Sequence, residues 1–155
     1  MTTIAYKECI LAADSMASDE GYLQKVDCQK LWKIKNSLIG TARGSYAGLM
    51  FIDWYNGNQP DDCMWALDVG DDFEAIVVEK DGRIYTYNRY LVPEDHGYRE
   101  FFAIGSGGKC AMVAMDCGRT AEQAVRKACK YDLYSGGKIH SIRFDKPRVT
   151  GRRIK

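Results

Sequence analysis

An α+β fold, with helices packed on the faces of antiparallel sheets, is predicted by three features of the sequence. Short apolar runs of strand length stand near both ends of the chain. A hairpin signal, Asp81-Gly82, sits in its middle, and helical spacing is confined to one segment after Ser45 and a pair of segments after Lys109. With 155 residues, the chain is expected to form one domain, 1–155, whose core needs no staple.

The elements follow in order. Thr3 to Asp14 alternates and then reads Ile10-Leu11-Ala12-Ala13, a buried strand pair turning near Lys7 and Glu8. Lys30 to Lys35 alternates apolar with basic residues, Asn36-Ser37 is a turn, and Leu38 to Ala42 is the returning strand. From Ser45 the spacing is helical, with Leu49, Ile52 and Tyr55 on one face, and it stops at Gly57-Asn58-Gln59-Pro60. Glu74 to Val78 and Arg83 to Tyr87 flank Asp81-Gly82, a type I′ pair that makes the clearest hairpin. A loop containing Pro93 leads to a strand at Phe101 to Ile104, which ends at Gly105-Ser106-Gly107-Gly108. Lys109 to Cys117 and Ala121 to Tyr131 are helical, the second with Thr120 as N-cap, and Ile139 to Phe144 closes as a strand.

Composition removes several classes of function. A net charge of +1 provides no global field for nucleic acid, and the basic residues Lys146, Arg148, Arg152, Arg153 and Lys155 read as a solvated tail. No apolar run approaches the ~20 residues that span a bilayer, so no membrane role is expected. The six cysteines have no CxxC spacing and no signal segment precedes them, which predicts a cytoplasmic protein with reduced, mostly buried thiols. His96 and His140 have no cysteine or acid at ligand spacing, so no metal site is expected. Gly105 to Lys109 fails as a phosphate loop: Ala103 stands where the first glycine belongs and Cys110 where Ser or Thr belongs. No cofactor is predicted.

The chemistry-bearing feature is Met1-Thr2-Thr3. Removal of Met1 would leave a threonine carrying its own base, because a free α-amine has a pKa of about 8 and can take the hydroxyl proton near neutrality. With Met1 in place the Thr2 nitrogen is an amide and cannot act so. Asp14 ends an apolar run and Lys30 opens the next strand, so both are placed at strand ends beside the first residue. A lysine there lowers the proton affinity of the amine and stabilises an alkoxide-like Thr2 oxygen, while Asp14 holds the lysine. Taken singly, each reads better as a surface charge.

Six ordered segments carry a resemblance to the proteasome β-subunit and HslV family of threonine peptidases, members of the N-terminal-nucleophile (Ntn) hydrolases. They are Thr2-Thr3-Ile4, Leu11 to Ser15, Gln29-Lys30-Leu31, Leu38 to Ser45, Ile104 to Gly108, and Asp132-Leu133-Tyr134-Ser135-Gly136-Gly137. The resemblance implies a four-layer αββα sandwich of antiparallel sheets. It implies Thr2 as nucleophile, Asp14 with Lys30 as its supporting pair, and Ser106, Asp132 and Ser135 completing the network. The backbone N–H of Gly44 would hold the oxyanion, a contribution of ~3 kcal/mol in such sites. Ala17, Cys28, Trp32, Ala42, Tyr46 and Met50 would line an apolar pocket for the residue preceding the scissile bond, one that rejects lysine and arginine.

The chain departs from that pattern after Ser45. Family members place two long helices before the central hairpin, whereas here only one fits, and the acidic stretch from Gln59 to Asp72 is too short to replace the second. One helical layer is therefore expected to be reduced, which bears on the family's double ring and ATPase partner. The resemblance implies a threonine endopeptidase subunit of a self-compartmentalising protease, active once Met1 is removed, that forms a homo-oligomeric ring and cuts unfolded polypeptide, with an ATPase unfoldase as a further partner. The alternative is a catalytically silent scaffold or assembly protein of the same fold.

Overall fold

The structure, a computed structural model, describes residues 2–19, 22–25, 27–43, 45–58 and 72–145. Among these are eleven strands and three helices. The strands are β1 (Thr3–Lys7), β2 (Ile10–Ala13), β3 (Ala17–Asp19), β4 (Tyr22–Lys25), β5 (Leu31–Ile34), β6 (Ser37–Ala42), β7 (Glu74–Glu79), β8 (Arg83–Tyr87), β9 (Pro93–Tyr98), β10 (Phe101–Gly105) and β11 (His140–Arg143). The helices are α1 (Ser45–Tyr55), α2 (Gly108–Asp116) and α3 (Ala121–Ala128).

All pairings are antiparallel. One sheet runs β10-β1-β2-β11, a second runs β5-β6-β7-β8-β9, and β3-β4 is a separate hairpin. The first sheet has side chains buried on both faces, because alternation sends Ile4, Tyr6, Leu11 and Ala13 toward the second sheet and Ala5 and Ala12 toward α2 and α3. The second sheet does the same, with Leu38, Ile76 and Val78 facing inward and Ile39, Ala75 and Val77 facing α1. The result is the expected αββα sandwich.

The outer layers are packed differently. Between the first sheet and its helices, Ala111, Ala114, Ala121, Ala124 and Ala128 meet Ala5 and Ala12, so small side chains let the helices lie close to the strands. Lys7 is buried in this layer and is satisfied there: Nζ donates to Met115 O at 2.9 Å, at the carbonyl end of α2, and lies over the Phe101 ring. Thr120 caps α3 through a capping box with Gln123. On the other side, α1 is held by an aromatic cluster in which Phe51, fully buried, contacts the rings of Trp54, Tyr55, Phe73 and Tyr87.

Several expectations need correction. The helix after Ser45 buries Ala47 and Phe51, and Leu49 points outward at 58% exposure. The β5–β6 turn falls on Lys35 and Asn36, with Lys35 at φ 52°, and Ser37 already belongs to the strand. The β7–β8 connection is a three-residue loop in which Gly82 takes φ 93° and Asp81 does not, so it is not type I′, which requires positive φ at both. The segment read as a loop at Pro93 is the edge strand β9; proline is tolerated there as the first residue of an edge. Of the five described cysteines, all unpaired, Cys9, Cys110 and Cys117 are exposed rather than buried. Among the described residues the second sheet is covered by α1 alone, and the reading of residues 59–71 as too short for a helix lies outside them, as does the basic tail from Lys146. No helix among the described residues is long and apolar enough to cross a membrane.

Phe51 is the centre of the α1 layer, and Phe51→Ala is expected to destabilise the protein by about 3–5 kcal/mol. Urea unfolding measures this. A loss below about 1 kcal/mol would mean that the layer is not held by this ring.

Candidate active site

Thr2 lies just before β1, at the end of the gap between the two sheets, and is 2% exposed. Thr3 opens β1 opposite Gly105 of β10, and the backbone of Asp14 follows β2 on the other flank. Asp14 ties these strands together. Its backbone N–H donates to Thr3 O at 3.2 Å, and its Oδ1 accepts from Thr3 N at 2.9 Å. The same Oδ1 accepts from Lys30 Nζ at 2.9 Å, while Oδ2 accepts from Gly136 N at 2.9 Å and Met16 N at 3.3 Å.

Lys30 also donates to Met16 O at 2.7 Å, and its side chain is 9% exposed against none for Asp14. Burial pushes the Lys30 ammonium below the usual lysine range, and the Asp14 charge opposes that shift. Thus the acid and cation picked out from sequence are a buried ion pair at the first residues of β1. Cys129 is nearby, but burial drives its thiol up to about 11, so it is not a competing thiolate.

A second network lies on the helix side. Asp132 Oδ2 accepts from Ser106 Oγ at 2.6 Å and from Ser135 Oγ at 2.5 Å. Ser135 Oγ is also 2.7 Å from Thr3 Oγ1. A hydroxyl has one proton, and Ser135 gives its own to Asp132, so Thr3 must be the donor in that contact. The proton of Thr3 is therefore committed, and Gly107 closes over it: a Cβ there would stand 1.9 Å from Thr3 Oγ1. Ser106 Oγ lies 3.4 Å from Thr2 O, a longer contact than the one it makes to Asp132. Gly105 holds φ 87°, and a Cβ on it would fall 2.0 Å from the same Thr2 oxygen, so only glycine allows β10 to pass the first residue this closely.

A chamber of about 260 Å³ opens on Thr2 and is lined by Ala42, Arg43, Asp72, Glu74, Gly105 and Ser106. Ala42 and Glu74 are cross-strand partners on β6 and β7, and Glu74 shares the inward parity of Ile76 and Val78. Its Oε2 accepts from Gly105 N at 3.2 Å, linking the two sheets. Burial, the largest influence, raises the Glu74 carboxyl above its ordinary value, against the Gly105 N–H, which lowers it. Arg43 pairs with Asp72 and takes φ 69°, a left-handed conformation uncommon outside glycine that marks a constrained backbone beside the chamber.

The sequence thus singled out Thr2, Asp14, Lys30, Ser106, Asp132 and Ser135, and the fold brings all of them to the start of β1. Gly44, the expected oxyanion donor, and Met1 lie outside the described residues. Of the expected apolar pocket, Ala42 lines the chamber. Cys28 is buried beside the pair, its N–H donating to Ser15 O at 2.7 Å, and Trp32 lies under Gly48 of α1. Ala17 and Met50 are half-buried, and Tyr46 is exposed. Glu74 and Arg43 were not singled out. The signal for Glu74 was available, since a charged residue two positions before Ile76 falls on the buried face of a strand.

No protein-family model matches the chain, and no curated protein matches it in sequence. Its fold is similar to that of solved structures. One is Thiobacillus denitrificans BPH in complex with epoxomicin, with a TM-score of 0.68 and 18% identity over 91% of this chain and 96% of that one. BPH from the same organism without that description gives 0.69 and 19% over 95% and 98%. Eukaryotic HslV from Trypanosoma brucei gives 0.66 and 18% over 92% and 99%.

Glu74 also gives stability a pH dependence. Its folded pKa lies above the ordinary value of 4.5, so the folded state keeps a proton that the unfolded chain releases. The associated stability is fully present below that ordinary value and is lost as pH rises through the folded pKa. Glu74→Gln lacks this dependence. The unfolding free energy of the wild type minus that of the variant is expected to fall between pH 4 and pH 7, as read by denaturant titration at both; a difference that rises would reverse the assignment.

Proposed function

Starting from the HslV and BPH fold that this chain shares, we propose that it is a threonine-type peptidase subunit whose nucleophile is Thr2 once Met1 is removed. The observation that carries this reading is the buried Asp14–Lys30 pair fixed against the first residues of β1. A buried ion pair is costly to build and contributes little net stability by itself. One placed beside Thr2 and its chamber is better explained by chemistry than by packing.

The neighbouring threonines are distinguished by their hydroxyls. Thr3 is committed to Ser135 on the helix side, while Thr2 lines the chamber between the sheets. In the proposed reaction the Thr2 α-amine takes the hydroxyl proton as Oγ1 bonds to a peptide carbonyl carbon, and the carbonyl electron pair moves to oxygen. The Gly44 N–H is the proposed donor to that oxyanion. Collapse breaks the C–N bond, the departing amine takes the proton, and water then hydrolyses the ester to restore Thr2. Lys30, always near Asp14, favours the neutral amine and the negative oxygen. Ser106, whose proton goes to Asp132, keeps lone pairs to accept from the amine.

The proposed substrate is unfolded polypeptide, and the proposed assembly a homo-oligomeric ring that buries the site, with an ATPase unfoldase as its partner. Large apolar side chains are left exposed on helices α1 and α2 and after α3: Tyr46, Leu49, Val113, Tyr131 and Leu133. Exposure of this kind supports subunit contacts.

Because BPH is found in complex with epoxomicin, that compound is the probe for this site. Intact mass should first show the loss of Met1, then a covalent adduct that maps to Thr2 and is absent in Thr2→Ala. Lys30→Ala should slow labelling by orders of magnitude. It should also cost about 3–5 kcal/mol of stability, because it leaves Asp14 buried without its cation, so the rate is read on folded protein. An adduct that persists in Thr2→Ala, or sits on a cysteine, would refute the mechanism; retention of Met1 would favour the silent scaffold.

Assembly is tested separately. Light scattering at micromolar concentration is expected to show a closed oligomer, since a heterologous contact that failed to close would polymerise. A stable monomer that still hydrolyses peptides would refute the compartment and leave the threonine chemistry intact.

A further inference from the structure

The chamber at Thr2 has an electrostatic character that the apolar pocket read from sequence does not. Two carboxylates line it. Asp72 is neutralised by Arg43, whereas Glu74 accepts the neutral N–H of Gly105, lies within electrostatic reach of His96 and Glu94, which act on it in opposite senses, and, among the described residues, has no lysine or arginine paired with it. The chamber therefore carries, beside Thr2, a carboxylate that has no lysine or arginine of its own among the described residues.

Its position relative to Thr2 follows from strand order. β1 lies between β10 and β2. Asp14 and Lys30, with Ala17 and Cys28 beside them in the chain, are on the β2 flank, while Gly105, Ser106 and Glu74 are on the β10 flank. Ala42 belongs both to the expected apolar pocket and to the chamber, so the two adjoin there, and a polypeptide crossing Thr2 with its apolar residue on the β2 flank places the next residue over the chamber. Drug-sized ligands fill about 300–1,000 Å³, so a chamber of about 260 Å³ has room for one side chain and its water.

We propose that this chamber is a second substrate subsite that takes a lysine or arginine side chain immediately after the scissile bond, with Glu74 as its specificity-determining residue. The inference rests on the threonine-peptidase reading for the position of the bond, but the recognition itself is a binding event. An ammonium entering the chamber restores to Glu74 the favourable interaction that burial removed, and a norleucine of the same length leaves the carboxylate desolvated and unpaired. The Arg43–Asp72 pair also lines the chamber and, being neutral overall, does not repel the incoming cation.

Binding to the full-length Thr2→Ala protein isolates recognition from hydrolysis. Capped heptapeptides that differ only in carrying lysine, norleucine or glutamate after a central leucine are titrated by calorimetry. Lysine is expected to bind at least about tenfold more tightly than norleucine, the factor for one charge-assisted hydrogen bond, and glutamate more weakly than either. Adding Glu74→Gln, which keeps an acceptor for the Gly105 N–H while removing the charge, should bring the lysine-to-norleucine ratio near one. Glu74→Asp, which keeps the charge but withdraws it, should give an intermediate ratio and serves if the glutamine variant does not fold. Equal binding of lysine and norleucine, or a preference that survives loss of the Glu74 charge, would overturn the subsite. Epoxomicin labelling of Thr2 would be untouched by that result, and its failure would conversely leave a measured lysine preference standing.

Discussion

The buried pair of Asp14 and Lys30 is the contact on which the arrangement around Thr2 depends. Removing two charges from water is expensive, and their mutual attraction offsets it only when the remaining lone pairs and protons are also satisfied. Here they are. Asp14 receives Thr3 N, Met16 N and Gly136 N besides the ammonium, and Lys30 spends a second proton on Met16 O. Four separate stretches of chain meet at one carboxylate: the start of β1, the end of β2, the approach to β5 and the loop after α3. None of these can shift without leaving a buried charge or amide unpaired, and that constraint fixes where β1 begins relative to both sheets.

The alternation of β1 converts this anchor into a choice between two adjacent threonines. Thr3, Ala5 and Lys7 face the helices, and Ile4 and Tyr6 face the second sheet. A one-residue slip would exchange the two sets, driving Lys7 into the inter-sheet core and Ile4 against the helices. Such a slip is prevented by pairings on both sides of the strand, Thr3 with Gly105 and Ile4 with Ala13. The first sheet is thus a ruler that puts Thr2 on the chamber side. The glycines at positions 105 and 107 are what allow the ruler to lie so close to its neighbours, since each replaces a side chain that would occupy a threonine oxygen's place.

Much of this was legible in the order of residues. Apolar runs with turn residues between them gave β1, β2, β6, β7 and β8, and Thr120 with Gln123 marked the start of α3 through a recognisable cap. Asp14 and Lys30 stood out because one ends an apolar run and the other opens the next strand, whereas Asp132 came from the resemblance alone. What escaped reading was set by tertiary packing. Leu49 is no less apolar than Phe51, and only the aromatic cluster on the second sheet decides which of them is buried. Pro93-Glu94-Asp95-His96-Gly97 has no strand pattern, and it is a strand only because β8 offers an unpaired edge. Ala17 to Lys25 pairs as β3-β4 with a register shift, which carries no clean alternation. Glu74 is a different case: it opens a hairpin strand that is otherwise apolar to Val78, and its parity with Ile76 and Val78 assigns it to the interior.

The pairing of β1 with β10 also bears on when, during the making of the chain, the site can exist. Thr2 precedes Gly105, Ser106, Asp132, Ser135 and Gly136 by more than a hundred residues in the sequence. Until they arrive, Asp14 lacks the Gly136 N–H, Thr3 has no Ser135 and the edge of β1 is bare. Contacts of such long sequence separation form late and slowly. The surroundings of Thr2 are therefore assembled only after the segments that carry Gly105 and Gly136 have been made. A partial chain that stops short of β10 has both threonines but neither the strand nor the loop that encloses them.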